Sequence, residues 1–179
     1  MRRNQYLKDY KLASKLDPRG RLSQEAVYVG SYYRFSAKAE SFLQAKKSYR
    51  LLTVPAVLLL FFQLWFTDLF DPNRRFLVLP MSFNVLPAFG VVLGVIRLHL
   101  VRDRMTSLQH DRICNRLPLF SFLFFLFALL SFFSTLAQVL MSGVELSTSL
   151  YCLNALVLML LTFWIFKLRK ILKTEMIFD

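Results

Sequence analysis

The side chains best suited to chemistry lie close together in the middle of the chain. His110 and Cys114 are four residues apart, and His99 precedes them. On a helix this spacing puts both residues on one face, where two metal ligands can act together. A structural zinc site needs four ligands, and this neighbourhood offers three candidates. We therefore predict no metal site and no cofactor, and expect these residues to be solvated.

Asp, Glu, Lys, Arg and His are missing from the four longest hydrophobic runs. These runs contain 17, 21, 28 and 21 uncharged residues, and lie at 51–67, 76–96, 117–144 and 146–166. Proton relays, pumps and ion pathways place ionisable groups inside such segments. The chain also contains no phosphate-binding loop and no GxSxG nucleophile motif. The sequence therefore predicts no catalytic residues and a protein that is not an enzyme.

The lengths of the runs predict the fold class. A helix needs roughly 20 apolar residues to cross the hydrocarbon core of a bilayer. The 179-residue chain is 56% hydrophobic and 19% charged, whereas soluble domains carry about 25% charged residues. We predict an all-α membrane protein with two helical hairpins. The expected transmembrane helices lie near residues 51–70, 76–98, 116–141 and 148–168.

Three domains follow from these spans, and the basic residues predict their orientation. The domains are a basic N-terminal region (1–49), a four-helix transmembrane domain (50–168) and a tail (169–179). Residues 1–50, 97–116 and 167–179 hold 21 of the 23 Lys and Arg residues. Because basic residues favour the cytoplasmic side, both termini and the central loop are predicted to be cytoplasmic, in the plasma membrane. The short connections near 68–74 and 141–149 are then external.

The formal net charge of +12 has two interpretations. It fits a topology signal together with attraction to anionic lipid at the cytoplasmic face, at about 1 kcal/mol per basic residue. Nucleic-acid binding is the alternative, but no recognition motif accompanies the charge. We therefore expect a lipid bilayer as partner and no nucleic acid.

The N-terminal region contains two strand-like segments. Residues 25–29 and 32–35 are rich in β-branched and aromatic residues and flank Gly30-Ser31. This pattern predicts a β-hairpin over 25–35 with a type II′ turn, in which Tyr28 faces Tyr33 and Gly30 has a positive φ. The alternative is an irregular aromatic linker at the membrane interface. An interfacial helix over 36–50 is expected to follow.

A second cytoplasmic helix is predicted in the central loop. Thr106 is followed by Gln109, the spacing of a capping box at a helix start. We expect the helix to run from there toward the third span, with Pro118 bending its entry.

The second span is the most irregular. Pro80 and Pro87 remove backbone hydrogen bonds and are expected to break the helix, while Asn84 can bond a freed carbonyl or a neighbouring helix. Gly90 and Gly94 form a small-xxx-small pair that allows another helix to approach closely. Further polar candidates lie in the third and fourth spans, at Gln138, Tyr151 and Asn154. Ser131, Thr135 and Gln138 mark one face, which we expect to turn toward other helices.

Two functional hypotheses remain. The first is a non-enzymatic accessory or interaction subunit of a membrane complex for transport, secretion or envelope assembly, bound to another membrane protein or to a second copy of itself. The alternative is a small channel, carrier or lipid-ligand-binding protein that uses the proline-broken second span. In that case Asn84, Gln138, Tyr151 and Asn154 would line a neutral polar cavity.

Overall fold

The computed structural model describes residues 9–16, 22–36, 39–66, 75–101, 104–142 and 146–177. The long helices are α1 (Ala39–Phe66), α2 (Arg75–Leu100), α3 (Leu117–Ser142) and α4 (Leu146–Lys167). All four are long and apolar enough to cross a membrane, as the uncharged runs predict. The predicted external connections lie mostly outside the described residues, since 67–74 and 143–145 are not included.

Each long helix packs against two others, so the four form a ring in the order α1, α2, α3, α4. Helices α2 and α3 are antiparallel, because Phe83 stacks on Phe127 at one end and Gly94 meets Leu117 at the other. The core contains tightly packed side chains such as Leu60 and Leu158. Large apolar side chains on the outside of the bundle are exposed, as for Leu86 at 75% and Leu140 at 78%, a surface suited to lipid.

A short helical segment leads into α3. The helix begins at Ser107–His110, continues as a π-helix over Asp111–Arg116 and becomes α-helical at Leu117. The predicted capping box is confirmed: Thr106 Oγ1 accepts from Gln109 N, and Gln109 Oε1 accepts from Thr106 N at 3.1 Å. Pro118 cannot donate to a carbonyl in the preceding turn. A π-helical turn, Asp111–Arg116, lies immediately before it.

The strands form two small antiparallel sheets. Strand β1 (Tyr10–Leu16) pairs with β2 (Leu22–Tyr28), and β3 (Tyr32–Phe35) pairs with β4 (Thr174–Ile177). The β character of residues 25–35 is therefore confirmed, but the predicted hairpin is wrong. Tyr28 lies opposite Tyr10 rather than Tyr33, and Arg34 lies opposite Glu175.

Gly30 also differs from its predicted role. Its φ lies outside the positive range, so the type II′ turn is absent. The glycine is instead required by close contacts, because a Cβ there would lie 2.6 Å from Tyr28 Oη and 2.8 Å from Asp9 Cβ.

Both sheets lie at one end of the bundle, where α1 begins, α2 ends, α3 is entered and α4 ends. We call this the basal end. Lys46 Nζ donates to Val101 O at 2.6 Å there, which places a cation on the carbonyl end of α2. The predicted interfacial helix is continuous with the first span, because α1 runs without a break from Ala39. The predicted tail contains a 3₁₀ turn, Leu168–Ile171, and β4.

Candidate functional site

The two glycines of α2 lie directly against α3. A Cβ on Gly90 would overlap the ring of Phe120, and a Cβ on Gly94 would lie 2.7 Å from Leu117 Cδ1. Each glycine therefore makes room for a large apolar side chain of the neighbouring helix, the effect expected of a small-xxx-small pair.

Asn84 joins the same two helices. Its side chain is fully buried. With the amide oriented to satisfy both groups, Nδ2 donates to Phe124 O at 3.1 Å and Oδ1 accepts from Ala128 N at 3.3 Å. The amide thus bonds backbone groups of a neighbouring helix. In lipid, such bonds avoid the free-energy cost of a buried polar group without a hydrogen-bond partner.

The prolines do not break α2, contrary to the prediction. The helix is continuous from Arg75 to Leu100, with Pro80 and Pro87 inside it. Pro80 is half-buried and Pro87 is buried. Neighbouring helices and local backbone adjustment allow proline in a membrane helix without interruption.

The other predicted polar residues do not join Asn84 in one cavity. Asn154 Nδ2 donates to Leu59 O of α1 at 3.2 Å, so this amide joins α4 to α1. Gln138 and Tyr151 are half-buried. Ser131 and Thr135 are buried, as predicted for an inward face, and their hydroxyls donate to carbonyls of their own helix at 2.8 Å.

At the basal end, β3 connects three distant parts of the chain. Its outer partner is β4, and on the other side Tyr33 and Met105 exchange two backbone hydrogen bonds of 2.9 Å. The ring of His110 stacks on Tyr33 with centroids 4.1 Å apart, and its Nε2 lies 2.8 Å from Thr174 Oγ1. The N-terminal region, the central loop and the tail therefore form one packed layer.

The β1–β2 sheet is attached to this layer by hydrogen bonds. Tyr28 Oη accepts from Ser107 N at 2.9 Å and donates to Ser31 O at 2.8 Å. Ser107 Oγ also donates to a carboxylate oxygen of Asp9. Leu12 remains 72% exposed. We call the β1–β2 sheet and the β3–β4 sheet together the basal platform.

The residues first considered as metal ligands have other roles. His99 Nδ1 lies 3.0 Å from Val95 O of its own helix. Across the described ranges, no group of three or more His, Cys, Asp or Glu side chains is positioned to hold a metal ion. The ring of His110 contacts Tyr33 and Thr174 instead.

Two grooves open between the long helices. The groove between α1 and α2 has a volume of about 470 Å³ and is lined largely by valine, leucine and isoleucine, with Arg50 and His99 as its charged or titratable residues. The second groove lies beside the contact between α2 and α3 and has a volume of about 330 Å³. Its lining residues are Leu86, Phe89, Gly90, Leu93, Gly94, Arg97, Arg112, Arg116 and Phe120.

The three arginines of the second groove were not predicted as site residues. In the sequence, they serve only as basic residues that predict membrane orientation. The spacing of Arg112 and Arg116 is a helical i, i+4 pair, but nothing in the sequence placed them beside Arg97. We call this feature the arginine groove.

No protein-family model, no curated protein and no solved structure matches the chain.

Proposed function

We propose that this chain is a non-enzymatic integral membrane protein that binds another protein through its basal platform, as an accessory subunit of a membrane complex. One observation carries the proposal. The β1–β2 sheet is held to the bundle by Tyr28, Asp9 and Ser107 while Leu12 and Val27 are exposed. An isolated two-stranded sheet is marginally stable in water, so these hydrogen bonds are needed to hold it in place. Membrane anchoring alone does not require a supported sheet with exposed apolar side chains.

The open edges of the β1–β2 sheet suggest how a partner is recognised. Among the described strands, β1 pairs only with β2 and β2 only with β1. Within the described ranges, each strand therefore has an outer edge whose backbone groups could pair with an extended segment of a partner. Leu12 on β1 offers an apolar contact beside that edge.

We propose that the basal end faces the cytoplasm and that the membrane is the plasma membrane. Residues 1–50, 97–116 and 167–179 hold 21 of the 23 basic residues, and the described parts of these segments meet at this end. Basic segments favour the cytoplasmic side. Cysteine-accessibility labelling from outside the cell tests this orientation. Labelling near Lys46 or Lys173, with Glu145 protected, would reverse it.

The partner is tested by gentle detergent purification of the tagged full-length chain. We expect a stoichiometric partner to copurify with the wild-type protein and to be lost from Leu12→Glu. Ser14→Glu is the matched control, because Ser14 is also exposed and lies two residues further along the same strand. This substitution adds the same negative charge but removes no apolar side chain. Equal partner retention in both variants would exclude the basal platform as the binding surface.

The transport alternative has less support. Asn84 and Asn154 bond backbone groups of different helices, and the two grooves are lined by other residues. A purified monomer that moves a neutral solute across liposome membranes would overturn the subunit proposal in favour of a channel or carrier.

A further inference from the structure

The arginine groove combines a basic end with an apolar wall. Arg97 of α2 and the pair Arg112 and Arg116 of the π-helical segment line it together with leucine and phenylalanine side chains. Gly90 and Gly94 lie in the same wall, where they pack against Phe120 and Leu117. One end of the groove thus suits an anion, and the remainder suits a hydrocarbon chain.

The arginines mark the depth of the site. Arg97 immediately follows the second uncharged run, and Arg116 immediately precedes the third. Arginines at span ends hold their charge at the level of the lipid headgroups. From Arg97, the groove follows α2 to Leu86, eleven residues or about 16 Å at the helical rise. That length is close to half of the roughly 30 Å hydrocarbon core, the reach of one acyl chain in one leaflet.

The charge of the groove is only partly compensated. Asp111 accepts from Arg116 Nε at 3.3 Å and from Asn115 Nδ2 at 3.0 Å. Within the described ranges, Arg97 and Arg112 have no ion pair with a carboxylate. The same two arginines also line an adjoining cavity of about 150 Å³. Their guanidinium groups carry several donors in a planar fork that suits a phosphate.

We propose that the arginine groove binds one anionic phospholipid from the leaflet at the basal end. The phosphate lies among Arg97, Arg112 and Arg116, and one acyl chain lies along Leu93, Phe89 and Leu86. Basic pockets between membrane helices are suited to such headgroups. This site is independent of the proposed protein partner, since its lining residues belong to α2, α3 and the π-helical segment rather than to the basal platform.

Native mass spectrometry of the full-length protein tests the site, with dioleoyl-phosphatidylglycerol and dioleoyl-phosphatidylcholine as the two probes. We expect the wild-type protein to retain one phosphatidylglycerol molecule in preference to phosphatidylcholine. The double variant Arg97→Gln, Arg112→Gln should weaken phosphatidylglycerol retention about 30-fold, from about fivefold for each basic residue lost. It should weaken phosphatidylcholine retention less, because the choline cation leaves that headgroup without net charge.

The matched control is Lys170→Gln, Lys173→Gln. Both lysines are exposed at the same end of the bundle and do not line the groove. Replacing them removes the same amount of positive charge as the arginine substitutions do. We expect this control to retain phosphatidylglycerol within about twofold of wild type, since it acts only through the wider field. Equal weakening in both double variants, or equal retention of the two lipids by the wild-type protein, would overturn the proposal. The variant Arg97→Lys, Arg112→Lys keeps both positive charges. It should recover most of the phosphatidylglycerol retention that Arg97→Gln, Arg112→Gln loses, which would show that the loss comes from the charges and not from unfolding.

Discussion

Helix α2 meets its two neighbours in different ways. Against α3, Gly90 and Gly94 admit Phe120 and Leu117 onto the helix surface, and Asn84 reaches the α3 backbone. Against α1, Val92, Val95 and Ile96 line a groove of about 470 Å³. Side-chain size at a few positions therefore decides whether two apolar helices pack closely against each other. Lipid tails are as apolar as these helices, so hydrophobicity alone does not bring them together.

The largest expected effect comes from filling the close contact. In Gly90→Leu, the new side chain and the Phe120 ring would occupy the same space, so we expect destabilisation of about 1–3 kcal/mol or more and loss of assembled protein. Thermal unfolding in detergent and protein abundance measure the effect. Val92→Leu is the control at the open groove and should change stability by less than about 1.5 kcal/mol.

A second substitution sharpens that test. Adding Phe120→Ala to Gly90→Leu should recover part of the lost stability, because the smaller residue frees space for leucine. Equal effects of Gly90→Leu and Val92→Leu would show that the two contacts of α2 do not differ as described.

The next effect concerns the amides that cross between helices. Asn84→Ala removes the bonds to Phe124 O and Ala128 N and should cost about 0.6–2 kcal/mol, the range for interhelical hydrogen bonds in lipid. Asn154→Ala removes one described bond, to Leu59 O, and should cost less. Unfolding in detergent gives both values. If complete loss of function accompanied normal abundance of Asn84→Ala, the residue would contact a ligand instead of serving packing.

The smallest effect is expected at Thr53, beside the open groove. Its hydroxyl is buried and has no hydrogen-bond partner in the described part of the chain. Thr53→Val keeps the shape and removes the hydroxyl, so stability should be unchanged or increased by up to about 1 kcal/mol. Thr162→Val is the comparison, because Thr162 Oγ1 donates to Leu158 O and Met159 O. A loss of stability in Thr53→Val greater than in Thr162→Val would reveal a partner for Thr53.

The local features of the chain could be predicted because they depend on neighbouring residues. The four apolar helices follow from uncharged runs of sufficient length, and the Thr106–Gln109 capping box from a three-residue spacing. The strand character of residues 25–35 followed from β-branched and aromatic composition. Pro80 and Pro87 were misjudged by the same local reasoning, because it did not include the neighbouring helices that accommodate them.

The pairing of the strands depended on distant segments. Strand β3 pairs with β4, which lies about 140 residues away, and bridges to Met105. Local sequence patterns favour pairing between strands that are neighbours in the chain. A short turn at Gly30-Ser31 therefore made β2 the expected partner of β3. Strand β1 provides seven paired positions for β2 instead. Composition therefore identified the strands, while contacts across the chain selected their partners.

The amino-acid order alone specifies four apolar helices, the concentration of basic residues in three segments and the small residues available for close packing. These properties depend on composition and on spacing within single helices. Helix packing brings Phe120 against Gly90, bonds Asn84 to α3 and places Arg97 in one groove with Arg112 and Arg116. A helix specifies which residues share its face, whereas the rotation and position of its neighbour specify what that face contacts.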